Sequence, residues 1–143
     1  MSKMLKISEA ASLALHGMVF LAARPDRLVS IKEMAKVLSV SEAHLSKVFQ
    51  RLARVGLVKS NRGPRGGFTL GRLGNKITLL QVYEAIEGPL ECTSCLFDRP
   101  ICDNNKCIFG DLLEVTNNRY RAYLDGMKLS EVTDVYEKEK QDA

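Results

Sequence analysis

Hydrophobic spacing divides the chain into helices and one hairpin. Ser8 suits an N-cap, and after it Ala11, Leu15, Met18, Val19 and Ala22 recur at helical intervals. The pattern predicts a first, largely buried helix ending near Arg24, Pro25 and Asp26. His16 within it is expected to be packed or at an interface. A second helix begins after Ser30, with Ile31, Met34, Ala35 and Leu38 on one face and Glu33 spaced for a capping box. Ser39, Val40 and Ser41 form a turn in which Ser41 can cap a third helix running to Gly56. That helix divides by face: Leu45, Val48, Phe49, Leu52 and Val55 pack, while Ala43, Ser46, Lys47, Gln50 and Arg54 point away.

Residues 57–60 and 68–70 read as two short strands around the loop NRGPRGG of residues 61–67, a hairpin with an arginine-bearing tip. Thr78 can cap a short helix over residues 79–87, with Leu80, Val82, Tyr83 and Ile86 inward and Gly88-Pro89 as its stop. A longer helix over residues 108–124 carries Ile108, Phe109, Leu112, Leu113, Val115, Tyr120, Tyr123 and Leu124. That apolar stripe is too wide for a lone exposed helix, and a twin subunit is a natural cover for it. From Val135 onward the tail is charged, lacks apolar periodicity and is expected to be frayed or disordered.

Two helices joined by a three-residue turn and followed by a hairpin predict a mainly α fold with a small β-hairpin wing, a winged helix-turn-helix plus a long C-terminal dimerisation helix. The expected division is a DNA-binding region over residues 1–76, then a cysteine-bearing loop at about 89–108 and the dimerisation helix with its charged tail within residues 77–143. Charge supports it. Up to Lys76 the chain holds 14 Lys and Arg against 4 Asp and Glu, a net +10; beyond it 7 stand against 13, a net −6. A basic half attracts a polyanion, and double-stranded DNA is the partner that the element order favours.

In such a fold the third helix enters the major groove. Ser41, Ala43, His44, Ser46 and Lys47 then lie nearest the base edges, with Gln50 on the same outward face and Arg51 and Arg54 better placed for phosphates. On the wing, Arg62, Gly63, Arg65 and Gly66 face the adjacent backbone or a narrow minor groove. No stretch reaches the ~20 apolar residues of a membrane span, and Glu9 interrupts any signal-peptide pattern. A cytoplasmic protein is expected. No G-x-G-x-x-G, P-loop or paired acid-base constellation is present, so a redox enzyme using the cysteines catalytically is the weaker reading.

All four cysteines fall in one stretch, spaced Cys92-x2-Cys95-x6-Cys102-x4-Cys107. In a reducing compartment such a group points to a metal or redox role rather than to structural disulfides. Four thiolates satisfy a 2Fe-2S cluster, a 4Fe-4S cluster or a zinc ion, and the spacing does not choose among these or a thiol switch. The stretch also carries Asp98, Pro100, Asp103 and Asn105, leaving little apolar surface to order it without a bound group.

The run LARVGLVKSNRGPRGGFTL over residues 52–70, with ITL at 77–79 and AIEG at 85–88, closely resembles the IscR/NsrR family of bacterial regulators. The similarity extends over nearly the whole chain. It implies a homodimeric transcription regulator, read as a repressor, that binds partly palindromic operators, with long helices at the dimer interface and a cysteine loop as sensor. Many members hold an iron-sulfur cluster there through three cysteines and a further ligand, so the resemblance favours iron-sulfur, with zinc as the lesser alternative. Cys95, Cys102 and Cys107 fall near the three-cysteine spacing. Gly110 stands where one branch places a histidine ligand and Ser12 where another places a carboxylate, so Cys92 is the natural fourth ligand. Other members keep no cluster, and a regulator sensing by thiol oxidation or a partner protein is the alternative.

Overall fold

A computed structural model describes residues 7–91, 95–97, 99, 101–103 and 106–136. Helix α1 (Glu9–Ala22) starts where Ser8 accepts the Ala11 N–H at 3.0 Å, and Ala11, Leu13, Ala14, Gly17, Met18, Val19, Phe20 and Leu21 are buried along it. Burial on nearly every side of α1 reflects its place at the centre, packed by α2 (Ile31–Leu38), α3 (Glu42–Arg54) and α4 (Leu79–Glu87). Ser30 caps α2 through the Glu33 N–H at 3.1 Å. The expected reciprocal bond is absent, because the Glu33 carboxylate is instead held bidentately by Arg27 at 2.6 and 2.9 Å. A guanidinium offers that carboxylate two parallel bonds, which a single backbone N–H cannot match.

Both helices of the helix-turn-helix end in a Schellman arrangement. At the end of α2, Val40 N–H reaches Ala35 O at 3.0 Å and Ser39 N–H reaches Lys36 O, with Ser39 left-handed at φ 56°. At the end of α3, Leu57 N–H reaches Leu52 O and Gly56 N–H reaches Ala53 O, both at 3.1 Å. Gly56 at φ 80° supplies the left-handed residue with no Cβ penalty. Leu45, Val48, Phe49 and Leu52 are buried as the spacing predicts. Val55 is not: it is 50% exposed, because at the C-cap the chain has already left the helical path that would carry it to the packing face.

Strands β1 (Val58–Asn61) and β2 (Gly67–Leu70) pair antiparallel, Val58 opposite Leu70 and Asn61 opposite Gly67, so β1 begins and ends one residue later than expected and β2 begins one residue earlier. Val29, just before α2, adds a third rung by exchanging both main-chain bonds with Phe68 at 2.8 and 3.1 Å. Phe68 turns inward and its ring meets Phe49 edge-on at 5.3 Å, fixing the wing to the third helix. Phe20, Phe49, Leu45 and Leu52 are all but inaccessible to solvent. Each such side chain contributes about 1.5–3 kcal/mol by burial.

Thr78 and Gln81 form a reciprocal capping box at the start of α4. Helix α5 spans Leu112–Gly126, not residues 108–124. Gly110, at φ 60°, prevents the helix from continuing back to Ile108, which is 87% exposed. Along α5 only Leu124 is fully buried; Tyr120 leans on Tyr83 of α4, ring centroids 6.2 Å apart, while Leu112, Val115 and Tyr123 face outward.

After α5 the chain returns to α1. Lys128 bridges Thr78, Leu129 N–H bonds Ile77 O at 3.0 Å, and Leu129 is fully buried in the 3-10 turn Leu129–Glu131. A second 3-10 turn, Thr133–Tyr136, sets the Tyr136 ring 5.6 Å from Phe20, edge to face. Arg24 lies over the other side of this contact, 3.8 Å from the Phe20 ring centroid, and donates to Tyr136 O at 3.0 Å. The expectation of a disordered tail from Val135 is therefore corrected for Val135 and Tyr136; its remainder lies outside the described residues. One aromatic ring suffices here without periodicity.

Candidate nucleic-acid interface and cysteine segment

The outward face of α3 and the hairpin tip are both exposed and both carry basic side chains. Ser41, Ala43, Lys47, Gln50, Arg51 and Arg54 are exposed, and His44 and Ser46 are half-buried beside them. Ser41 starts the helix by accepting the His44 N–H at 3.1 Å, which leaves its hydroxyl proton free to donate outward. His44 places Nδ1 3.7 Å from the Glu9 carboxylate, tying the start of α3 to the start of α1. Gln50 leans back to Ser46 Oγ at 3.4 Å.

At the wing tip Arg62, Gly63 and Arg65 are exposed and Gly66 is half-buried. A tight turn closes the tip through Gly66 N–H to Gly63 O at 2.8 Å, with Gly63 at φ 114°. Arg51 differs from its neighbours. Its Nη2 donates at 2.6 Å to Ile86 O, in the last turn of α4, although the side chain remains accessible. Lys32 and Lys36 on α2, with Ser39, Ser41 and Glu42, line an open groove beside the start of α3. Lys32 and Lys36 stand outside the residues expected on this face, although the inward spacing of Met34 and Ala35 turns them outward.

His16 is exposed, its Nδ1 2.7 Å from Ser12 O, so within the chain it is not packed. Of the cysteines, Cys95 and Cys107 are half-buried and Cys102 is exposed; Cys92 lies outside the described residues. Cys95 Sγ accepts the Phe97 N–H and Cys107 Sγ the Phe109 N–H, each at 3.4 Å. Among the described residues no three Cys, His, Asp or Glu side chains converge on a common centre. Leu96, Phe97 and Ile101 are present in the segment but stay exposed, contributing no core of their own. Among the described residues no helix is long and apolar enough to cross a membrane.

Burial raises the tyrosine pKa at Tyr120, helped by Tyr83, and at Tyr83, helped by Glu87. Both therefore stay neutral and serve as packing between α4 and α5. Arg27 holds the Glu33 carboxyl below its usual range through its hydrogen bonds, partly offset by burial.

Comparison with known proteins agrees with this geometry. The family described as Rrf2, iron-dependent transcriptional regulator, matches residues 7–135. The HTH-type transcriptional regulator NsrR of Bacillus subtilis (strain 168) is 34% identical over 124 residues, 84% of this chain and 82% of that one. Among solved structures, CymR, the global cysteine regulator of B. subtilis, superposes with a TM-score of 0.77 at 28% identity, covering 92% of this chain and 98% of its own. IscR of T. potens superposes with a TM-score of 0.72 at 26% identity, covering 98% and 93%. The winged helix, its basic face and this kinship agree, and the chain belongs to the Rrf2 family of DNA-binding transcription regulators, not to the enzymes.

Proposed function

We propose that the chain is a homodimeric repressor whose operator binding is set by an iron-sulfur cluster held in the cysteine segment. Residues 1–76 read DNA in this proposal, and residues 77–143 sense and pair. Ser41, Ala43, His44, Ser46, Lys47 and Gln50 face base edges, Arg51 and Arg54 face phosphates, and the wing tip with Arg62 and Arg65 reaches the neighbouring groove. Leu112, Val115 and Tyr123, exposed on α5, supply the face that a second copy would cover.

The observation that carries the sensor is the pair of N–H···S bonds at Cys95 and Cys107. N–H groups donated to ligating sulfurs are one of the means by which a protein tunes a cluster's potential. Cys95, Cys102 and Cys107, with Cys92 as the fourth thiolate, fit an iron-sulfur cluster in donor chemistry once the segment closes on it. Bound, the cluster would supply a redox-labile centre that orders the segment. The exposed Cys102 favours one alternative, thiol oxidation without a cluster.

Anaerobic purification with absorbance, iron and sulfide analysis and native mass measurement tests the proposal. Coloured protein containing iron and acid-labile sulfide at dimer mass is expected. Colourless protein lacking both overturns the cluster, bound zinc replaces it with a structural site, and a monomer mass overturns the pairing.

A further inference from the structure

We propose that Arg51 is a positioning residue through which the cysteine segment sets the placement of α3 on DNA. The proposal rests on the sensing reading above. Its basis is a junction at residues 84–90, the end of α4 and the turn that follows it. Arg51, in the last turn of α3, donates to Ile86 O at 2.6 Å. That carbonyl is among those a helix leaves over at its C-terminus, where a cation is favoured by both the open acceptor and the helix dipole.

From Ile86 the chain turns at Gly88, φ 80°, and reaches Leu90. Both main-chain polar groups of Leu90 are held by side chains: its N–H by Glu84 Oε2 and its C=O by Arg121 Nη1, each at 2.9 Å. Arg121 comes from α5, on the far side of the cysteine segment. Ser8, the cap of α1, donates to the Glu87 carboxylate. The junction thus touches α1, α3 and α5, and the first cysteine follows Leu90 by two positions.

A guanidinium has five donors, so Arg51 can hold Ile86 O and still present N–H groups to a phosphate, but only in the orientation that the carbonyl dictates. A change in the cysteine segment that pulls on Leu90 acts against its clamp by Glu84 and Arg121. Displacing Leu90 lets the last turn of α4 shift, and the Arg51 bond carries that shift to α3. The junction in this proposal has two states, and both the cysteine segment and DNA bias the equilibrium between them.

The test uses the full chain and a duplex selected from a random-sequence pool. Affinity is measured at fixed salt in three forms: reconstituted anaerobically with ferrous iron and sulfide, stripped by chelator and kept reduced, and oxidised with hydrogen peroxide. The wild type is expected to differ between forms by about 5- to 150-fold, the usual span of allosteric coupling. Arg51→Met and Arg121→Met are each expected to bring the ratio toward one, the double variant to go no further, and Arg51→Lys, which keeps a donor, to retain part of it. Arg121 is outside the DNA-facing surface, so its effect is not a lost phosphate contact, and it carries the test if Arg51→Met fails to fold. Folded variants that keep the wild-type ratio overturn the role of Arg51 alone. A wild-type ratio of one in all three forms overturns the sensing reading, and this proposal with it.

Discussion

Gly17→Ala opposes two effects of known size at the centre of the fold. A Cβ at position 17 would lie 2.6 and 2.7 Å from Phe49 Cζ and Cε2 and 2.9 Å from Met34 Sδ. These are roughly 1 Å inside ordinary van der Waals contact. Alanine is the better helix former by about 1 kcal/mol. Against this, overpacking a well-filled core costs about 1–3 kcal/mol. The upper end applies here, because Phe49 and Met34 are completely buried and the Phe49 ring is backed by Phe68. Met34 can rotate away; Phe49 can move only by pushing on the wing. The expected net loss is about 2 kcal/mol, a fall in Tm of about 8 °C for a chain of this size. Thermal unfolding of Gly17→Ala beside Gly126→Ala measures it. The control has open space around its Cβ and should be neutral or slightly stabilising. A Gly17→Ala protein as stable as the wild type would mean that the helices have room that the geometry denies them.

Leu129→Ala should destabilise by about 2–5 kcal/mol, the range for a large side chain removed from a full core, and urea unfolding reads it directly. Glu33→Gln should cost roughly 0.5 kcal/mol at neutral pH, since the Arg27 pair is partly exposed. Its folded pKa is lowered, so the pair's contribution is present above the unfolded carboxyl value and is lost as pH falls through the folded one. Wild-type and variant Tm values should therefore converge in acid; a gap that persists there would assign the effect to packing. Arg62→Ala and Arg65→Ala should each weaken binding across DNA sequences and lessen the salt slope by about one; an unchanged slope would remove the wing from the phosphate backbone.

The helix starts were legible because capping is local: Ser8, Ser30, Ser41 and Thr78 each bond a backbone N–H three residues on. The inward faces of α2, α3 and α4 followed from periodicity for the same reason. What escaped was decided at a distance. Arg27 lies six residues before Glu33 and outcompeted a familiar local motif. Arg51 has the composition and position of a phosphate contact, and nothing within α3 reveals that a carbonyl 35 residues away engages it. Tyr136 packs on Phe20 across the length of the chain, in a segment whose charge suggested no packing at all. Gly110 was readable, since a glycine between Phe109 and Leu112 is a natural place for a helix not yet to have begun. At the site, the exposure of the basic side chains could be read from one helix face and one loop, whereas the arrangement of the cysteines depends on a segment without periodicity.

The return of residues 127–136 to α1 also bears on the order in which the protein can be made. Phe20 is synthesised early and meets Tyr136 only 116 residues later. At about 5–20 residues per second this is a wait of roughly 6–23 s. During that time the first helix stands partly uncovered beside the nascent chain, a surface that chaperones or a neighbouring nascent copy can contact. A ribosome that stops short of residue 127 releases a polypeptide containing all of α3 and the wing but lacking Leu129, which closes the core beside Ile77. Synthesis through residue 136 thus acts as a quality check on the regulator, because residues 127–136 help stabilise α1.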